Sequence, residues 1–118
     1  MHPRIKTFVY AGRGILTTFR DEPNARIHAV VGLLVITAGW FFEISRWEWC
    51  ALLLCIALVL AAEAFNTAVE SIVDLVSPEQ HRLAGRAKDT AAGAVLLLAM
   101  GAATVGLIVL GPYVWAYL

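Results

Sequence analysis

Three long apolar runs dominate the chain, and short polar segments separate them. About 20 apolar residues in a helix cross the roughly 30 Å hydrocarbon core of a membrane. The runs therefore predict spans over residues 23–42, 47–76 and 80–111. Pro23 suits the first turn of the first of these helices. The pattern predicts an all-α membrane protein, with residues 1–118 forming a single integral-membrane domain.

The segment before the first span, residues 3–20, has an amphipathic pattern. Its apolar residues recur at helical spacing and basic residues flank them. The apolar positions are Ile5, Phe8, Val9, Gly12, Ile15, Leu16 and Phe19, and the basic ones are Arg4, Lys6, Arg13 and Arg20. Such a helix can lie on a membrane surface or pack on a soluble partner. We favour an amphipathic surface helix, because the rest of this chain offers no soluble core.

Composition and charge agree with a membrane protein. The apolar share is 60%, whereas soluble domains have about 45–50%. The net charge is zero, yet five of the nine basic residues lie in residues 1–28, one in 43–48 and three in 82–88. Lys and Arg concentrate on the cytoplasmic side of membranes. We therefore expect a cytoplasmic N-terminus and an external C-terminus, and we expect no nucleic-acid partner.

Six polar side chains interrupt the second apolar run and would share one face of a helix. At about 100° per residue they fall within a sector of roughly 100°. They are Glu63, Asn66, Thr67, Glu70, Asp74 and Ser77. A carboxylate inside a bilayer costs about 2.5–3.5 kcal/mol on insertion scales, and such residues are usually functional. The alternative is polar contact between helices, for which Ser, Thr or Asn would be more usual.

The depth of the acidic residues separates the possible functions. At 1.5 Å per residue, Glu63 lies about 21 Å and Glu70 about 31 Å from Trp49, which belongs to an aromatic cluster at the outer membrane face. Both acids therefore approach the cytoplasmic side. A proton- or cation-coupled transporter would hold its essential acid near the midplane, so the depth favours an interfacial enzyme. A non-catalytic membrane subunit is the third possibility.

Further charged residues are predicted in the same cytoplasmic layer. They are Glu22, Arg26, His28, Arg82, Arg86, Lys88 and Asp89. Carboxylates beside cations at a membrane edge suit a site where a metal-bound polyphosphate meets a lipid hydroxyl. The chain has neither of the standard glycine-rich phosphate-binding motifs. The residues alone therefore indicate a site with acidic side chains, a metal ion and a phosphate group. They do not identify ATP as the phosphate donor.

Two segments closely resemble the prokaryotic integral-membrane diacylglycerol kinase family, including its undecaprenol kinase branch. E-A-F-N-T-A-V-E begins at Glu63, and H-R-L-A-G-R-A-K-D-T-A-A-G-A-V-L begins at His81, with V-D-L between them. The resemblance implies a homotrimer in the bacterial cytoplasmic (inner) membrane. It also implies transfer of the γ-phosphoryl group of MgATP to a lipid alcohol, at sites between neighbouring protomers.

The resemblance further implies a role for each candidate residue. Glu63 resembles the general base, Asn66 the residue that orients the reacting groups, and Glu70 a carboxylate that holds Mg²⁺. The residues that resemble the nucleotide-binding set are Glu22, Gly85, Arg86, Lys88 and Asp89, of which Glu22 also resembles a Mg²⁺ ligand. The lipid substrate is assigned to Arg26 and His28.

The N-x-R-I-H element at residues 24–28 bears on the choice of lipid. It resembles the undecaprenol kinase branch, whereas the diacylglycerol branch typically has an acid at the position of His28. The small residues Ala25, Ala29 and Gly32 would leave an apolar groove open for a long isoprenoid. We therefore expect undecaprenol as the acceptor, with diacylglycerol as the alternative.

Overall fold

The computed structural model describes residues 2–118, which form four α-helices joined by short connections. The helices are α1 (Pro3–Asp21), α2 (Pro23–Phe41), α3 (Arg46–Val76) and α4 (Arg82–Tyr117). By length and composition, α2, α3 and α4 are each able to cross a membrane. The prediction of an all-helical chain with three long apolar helices is confirmed. The placement of α1 on a membrane surface stays a prediction.

Local sequence explains the turn between α2 and α3. Ser45 Oγ accepts a hydrogen bond from the backbone N–H of Glu48, and Glu48 Oε1 accepts one from the N–H of Ser45. This reciprocal pair is a capping box, which satisfies two amide groups at a helix start. Glu43 in the turn has φ of 51°, a left-handed conformation that is uncommon for residues other than glycine. The turn is therefore tightly defined.

The connection between α3 and α4 is also set by its residues. α3 ends at Val76, in keeping with the restriction that Pro78 places on Ser77. His81 Nδ1 accepts a hydrogen bond from the N–H of Leu83 and caps α4. The helix then continues to Tyr117, past the expected end of the span at residue 111. It passes through Pro112, which removes one helical hydrogen bond.

α3 is the central helix and contacts α1, α2 and α4. Near the α2–α3 turn, Ile44, Leu52 and Val109 form a buried apolar cluster. Gly39 allows α2 to approach closely, because a Cβ at that position would lie 2.8 Å from Cη2 of Trp49. The end of the bundle at the α2–α3 turn is thus held by apolar packing, whereas the buried polar side chains lie elsewhere.

A single protomer buries few side chains. Many large apolar residues of α2, α3 and α4 are exposed, among them Leu34, Leu54, Phe65 and Leu97. Apolar exposure on this scale is unusual for a soluble monomer. It is the expected surface of helices that face lipid or other membrane helices.

Candidate functional site

α3 places Glu63, Asn66 and Glu70 on one face, about one helical turn apart. Glu63 retains 1% of its accessible surface and Asn66 retains 7%. No other side chain of comparable or larger size in residues 2–118 is as fully buried as Glu63. Since a buried carboxylate is costly unless it is paired, the surroundings of Glu63 define the site.

His28 of α2 is the basic partner of Glu63. Its Nε2 lies 3.5 Å from Oε1 of Glu63, and its side chain is 25% exposed. Two small residues on the same face of α2 allow this approach. Ala25 is completely buried, and a Cβ at Gly32 would lie only 3.2 Å from the side chain of Ile56. The imidazole therefore lies between the buried carboxylate of Glu63 and the surface of the protomer.

A second group of polar side chains, around Glu70, lies one to two turns further along α3. Asn66 Nδ2 donates a hydrogen bond to Oε1 of Glu70 at 3.2 Å. Glu22, at the junction of α1 and α2, has its carboxyl group beside that of Glu70. Partial burial raises the pKa of Glu22 above its usual value, and the hydrogen bond and negative charge of Glu70 and the charge of Glu63 raise it further. Two carboxyl groups from different helices are thus brought together.

The donor set at Glu22 and Glu70 fits a magnesium ion that is shared with a substrate. No cluster of three or more His, Cys, Asp or Glu side chains within residues 2–118 is arranged to hold a metal alone. Mg²⁺, however, is commonly bound by one or two carboxylates together with water and substrate phosphates. The Oδ1 atom of Asn66 is buried and has no hydrogen-bond partner in the described part of the chain. It is available to a ligand of that ion.

Lys88 of α4 brings a positive charge to the same region. Its Nζ donates a hydrogen bond to Oδ1 of Asp74 at 2.6 Å, and Glu70 also interacts with it electrostatically. Asp74, Gly85 and Lys88 line an open polar cleft of about 500 Å³ at the α3–α4 connection. A cleft with a lysine beside a carboxylate pair suits an anionic, metal-bound phosphate.

Other predicted site residues are not brought into this cluster. Asp89 and Arg26 are exposed. Arg86 lines a separate groove between α3 and α4, which Asn66 also borders. Their assignments stay predictions.

The six-residue polar stripe divides into three parts. Glu63, Asn66 and Glu70 form the site, and Asp74 pairs with Lys88. Thr67 Oγ1 donates to the carbonyl of Glu63, and Ser77 Oγ donates to the carbonyl of Glu79. The hydroxyl groups of Thr67 and Ser77 therefore bind backbone carbonyls and are not part of the site. Sequence reasoning did not find the partnership of Asp74 with Lys88, although Lys88 lies in the second segment quoted for the family resemblance and Asp74 in the V-D-L between the two segments.

An apolar groove of about 590 Å³ extends from His28 along α2, α3 and α4 to Trp115 near the end of α4. Its lining consists of Val, Leu, Ile, Ala and Gly side chains, apart from His28, Cys55 and Trp115. The expected groove at Ala25, Ala29 and Gly32 differs from this one, because Ala25 is packed in a helix contact. Gly32 alone of the three borders the groove that the structure has.

Comparison with known proteins shows which family the chain resembles. Residues 9–110 match the family described as prokaryotic diacylglycerol kinase. The chain is 42% identical to the undecaprenol kinase of Bacillus subtilis (strain 168) over 107 residues, which cover 91% of this chain and 87% of that protein. It is 45% identical to a diacylglycerol kinase of Synechocystis over 101 residues, or 85% of this chain and 58% of that protein.

A more distant relative extends the comparison. The diacylglycerol kinase of Escherichia coli (strain K12) is 31% identical over 93 residues, covering 79% of this chain and 76% of that protein. The family match covers most of the chain and includes α2 and α3 completely, together with Glu63, Asn66, Glu70 and Lys88. The chain therefore belongs to the prokaryotic diacylglycerol kinase family and is a membrane lipid kinase.

Proposed function

We propose that this lipid kinase transfers the γ-phosphoryl group of MgATP to the hydroxyl of undecaprenol. The observation that carries the proposal is the apolar groove that ends at His28, next to the buried carboxylate of Glu63. An isoprenoid offers one hydroxyl and a long hydrocarbon chain, without ester carbonyls. A groove with almost no hydrogen-bonding side chains matches that chemistry.

The proposed reaction assigns one task to each group. The lipid hydroxyl oxygen attacks the γ-phosphorus, the bond to the β–γ bridging oxygen breaks, and ADP leaves. Glu63 accepts the hydroxyl proton as general base. Glu22 and Glu70 hold Mg²⁺, which supplies charge neutralisation on the polyphosphate when it is bound. Lys88 binds the phosphates from the α4 side, and Asn66 orients the acceptor beside Glu63.

The arrangement of the acids supports this division. Glu63 is buried and has a basic neighbour, whereas Glu70 and Glu22 lie side by side towards the polar cleft. Phosphoryl transfer depends mainly on positioning and charge neutralisation. A metal-free carboxylate must remain to receive the proton, and Glu63 is the carboxylate set apart from the pair.

Assembly and orientation are part of the proposal. The resemblance to the family supports a homotrimer with sites completed between protomers, and the exposed apolar faces of α2, α3 and α4 provide surface for such contacts. Asp89, Arg86 and Arg26 are exposed in one protomer and would face a neighbouring protomer or the substrates. The distribution of the basic residues supports an N-terminus in the cytoplasm and a C-terminus on the outer side of the bacterial inner membrane.

Diacylglycerol is the second candidate acceptor. The 45% identity with the Synechocystis diacylglycerol kinase favours it, and a diacylglycerol also has apolar chains that fit an apolar groove. The two lipids differ at the hydroxyl end, where diacylglycerol carries two ester groups.

The test is a competition between the two lipids. Purified protein in mixed micelles receives MgATP, with undecaprenol and diacylglycerol at equal mole fraction, and both phosphorylated lipids are quantified. We expect a higher kcat/KM for undecaprenol. A higher value for diacylglycerol would reject undecaprenol as the substrate. Absence of phosphoryl transfer to either lipid would reject the proposed reaction.

A further inference from the structure

The contact between His28 and Glu63 raises a question that the proposed reaction leaves open. Glu63 receives a proton in each turnover, and it must lose that proton before the next one. Its side chain is only 2% exposed, so water has little direct access to the carboxyl group. A route for the proton is therefore required within the protein.

We propose that His28 is the positioning and proton-relay partner of Glu63. Within residues 2–118, His28 is the only basic side chain at ion-pair distance from the Glu63 carboxylate. The imidazole is itself one-quarter exposed. It thus touches the buried base through Nε2 and reaches the surface of the protomer. The inference rests on the proposed role of Glu63 as base, but it does not depend on which lipid is the acceptor.

The relay balances in two steps. After phosphoryl transfer, the protonated carboxyl group of Glu63 gives its proton to the neutral imidazole, which leaves a carboxylate and an imidazolium. The imidazolium then releases the proton to water at the membrane edge. Imidazole suits this task because one ring nitrogen can accept a proton while the other donates one. The present 3.5 Å separation is slightly longer than a hydrogen bond, and catalytic contacts commonly shorten when substrate binds.

The other titratable groups around this pair are less suited to the relay. Glu22, at the α1–α2 junction, and Glu70, on α3, face Glu63 but are assigned to the metal. Cys55 of α3 lines the same groove as His28. α4 contributes no Asp, Glu, His, Lys or Tyr side chain to that groove. Asn66 lies between Glu63 and Glu70 on the helix, but its amide side chain does not ionise and cannot accept the proton.

The same contact also fixes the orientation of Glu63. A carboxylate that is buried without a hydrogen-bond donor can rotate about its last torsion, whereas an imidazole beside Oε1 favours one arrangement. Groups that orient a functional side chain typically contribute about 10- to 100-fold to activity. We expect His28 to act at this level, below the contribution of the base itself.

The experiment uses His28→Gln and His28→Ala in the full-length protein, with His2→Ala, at an exposed histidine that precedes α1, as the matched control outside the site. Wild-type transfer is measured first with both lipids, so that failure of the proposed function is recognised separately. In the two histidine variants we expect kcat to fall about 10- to 100-fold. The KM values for lipid and MgATP should stay within about twofold, as expected for a residue that acts on a chemical step.

Chemical rescue distinguishes the relay from a structural role. Added imidazole should restore part of the kcat of His28→Ala, whereas 1,2,4-triazole, which has a similar shape but is a much weaker base, should not. His2→Ala should match the wild type with and without imidazole. The proposal is overturned if the histidine variants keep normal kcat or raise only the lipid KM. It is also overturned if triazole rescues equally, or if both variants lose the fold.

Discussion

Lys88 Nζ lies 2.6 Å from Oδ1 of Asp74, and this contact joins the start of α4 to the end of α3. The two side chains are 41% and 66% exposed. An ion pair with this exposure contributes only about 0–1 kcal/mol to stability. The contact is therefore better explained by where it holds the lysine, which is beside Glu70 at the polar cleft.

The first prediction concerns that lysine. Lys88→Gln should raise the KM for MgATP by about tenfold or more, because a hydrogen bond to a charged group contributes about 1.5–3 kcal/mol. Steady-state kinetics at saturating lipid measure this. Lys6→Gln, the same change at an exposed residue of α1 away from the cleft, serves as the control. An unchanged KM in Lys88→Gln would remove Lys88 from the nucleotide site.

The second prediction concerns the base. Glu63→Gln should lower kcat by about 10²–10⁴-fold while MgATP binding stays close to wild type, since the amide fills the same space but cannot accept the proton. Glu43→Gln, in the exposed α2–α3 turn away from the cleft, is the control. Turnover is measured by lipid phosphorylation and nucleotide binding by equilibrium titration. Near-normal turnover in Glu63→Gln would exclude it as the base.

The third prediction follows from the raised pKa of Glu22, which burial and the neighbouring Glu70 cause. The folded, metal-free protein binds more protons than the unfolded chain between the ordinary and the raised pKa. Its free energy of unfolding should therefore fall as pH rises through that interval. Glu22→Gln should flatten this dependence.

Unfolding midpoints in detergent, measured across pH with a chelator and again with excess Mg²⁺, test this prediction. Bound Mg²⁺ should remove this decrease in the free energy of unfolding of the wild type, because it neutralises the carboxylates of Glu22 and Glu70. Glu43→Gln, in the exposed α2–α3 turn, should behave as wild type. The same pH dependence in Glu22→Gln and wild type would contradict the assignment of Glu22 and Glu70 to one site.

The fourth prediction concerns the end of the bundle at the α2–α3 turn. Tyr113 Oη donates a hydrogen bond to Oε1 of Glu48 at 2.6 Å, which links α4 to the capped start of α3. Tyr113→Phe should lower the free energy of unfolding, because it removes this hydrogen bond to a charged group, and leave kcat unchanged. Tyr117→Phe, at a residue that is 70% exposed, should have little effect. Equal stabilities of the two variants would show that the Glu48 contact does not contribute.

The fifth prediction tests the orientation. In a Cys50→Ala, Cys55→Ala background, a membrane-impermeant thiol reagent should label Arg46→Cys from outside the cell and Gln80→Cys only from the cytoplasm. Arg46 is preferable to the neighbouring Ser45, whose side chain caps α3. The reverse labelling pattern would overturn the orientation that the basic residues indicate.

The sequence by itself determined the helices and the face on which the acids lie. A 3.6-residue period is a local property, so Glu63, Asn66 and Glu70 had to share one side of α3 wherever its neighbours packed. The capping box of Ser45 and Glu48 is equally local and could have been recognised from the S-x-x-E spacing. The match to the kinase family agrees with the resemblance that these segments indicated.

Only the tertiary structure decided which residues meet across helices. The contacts of His28 with Glu63, of Glu22 with Glu70 and of Lys88 with Asp74 depend on how each helix is rotated and how deeply it packs. On α2 that rotation is set by Ala25 and Gly32, whose lack of bulk lets α3 approach, and not by any property of the histidine. Helical periodicity orders residues around one axis, but it carries no information about the distance or angle between two axes. The acids were therefore evident from the sequence, whereas their partners were not.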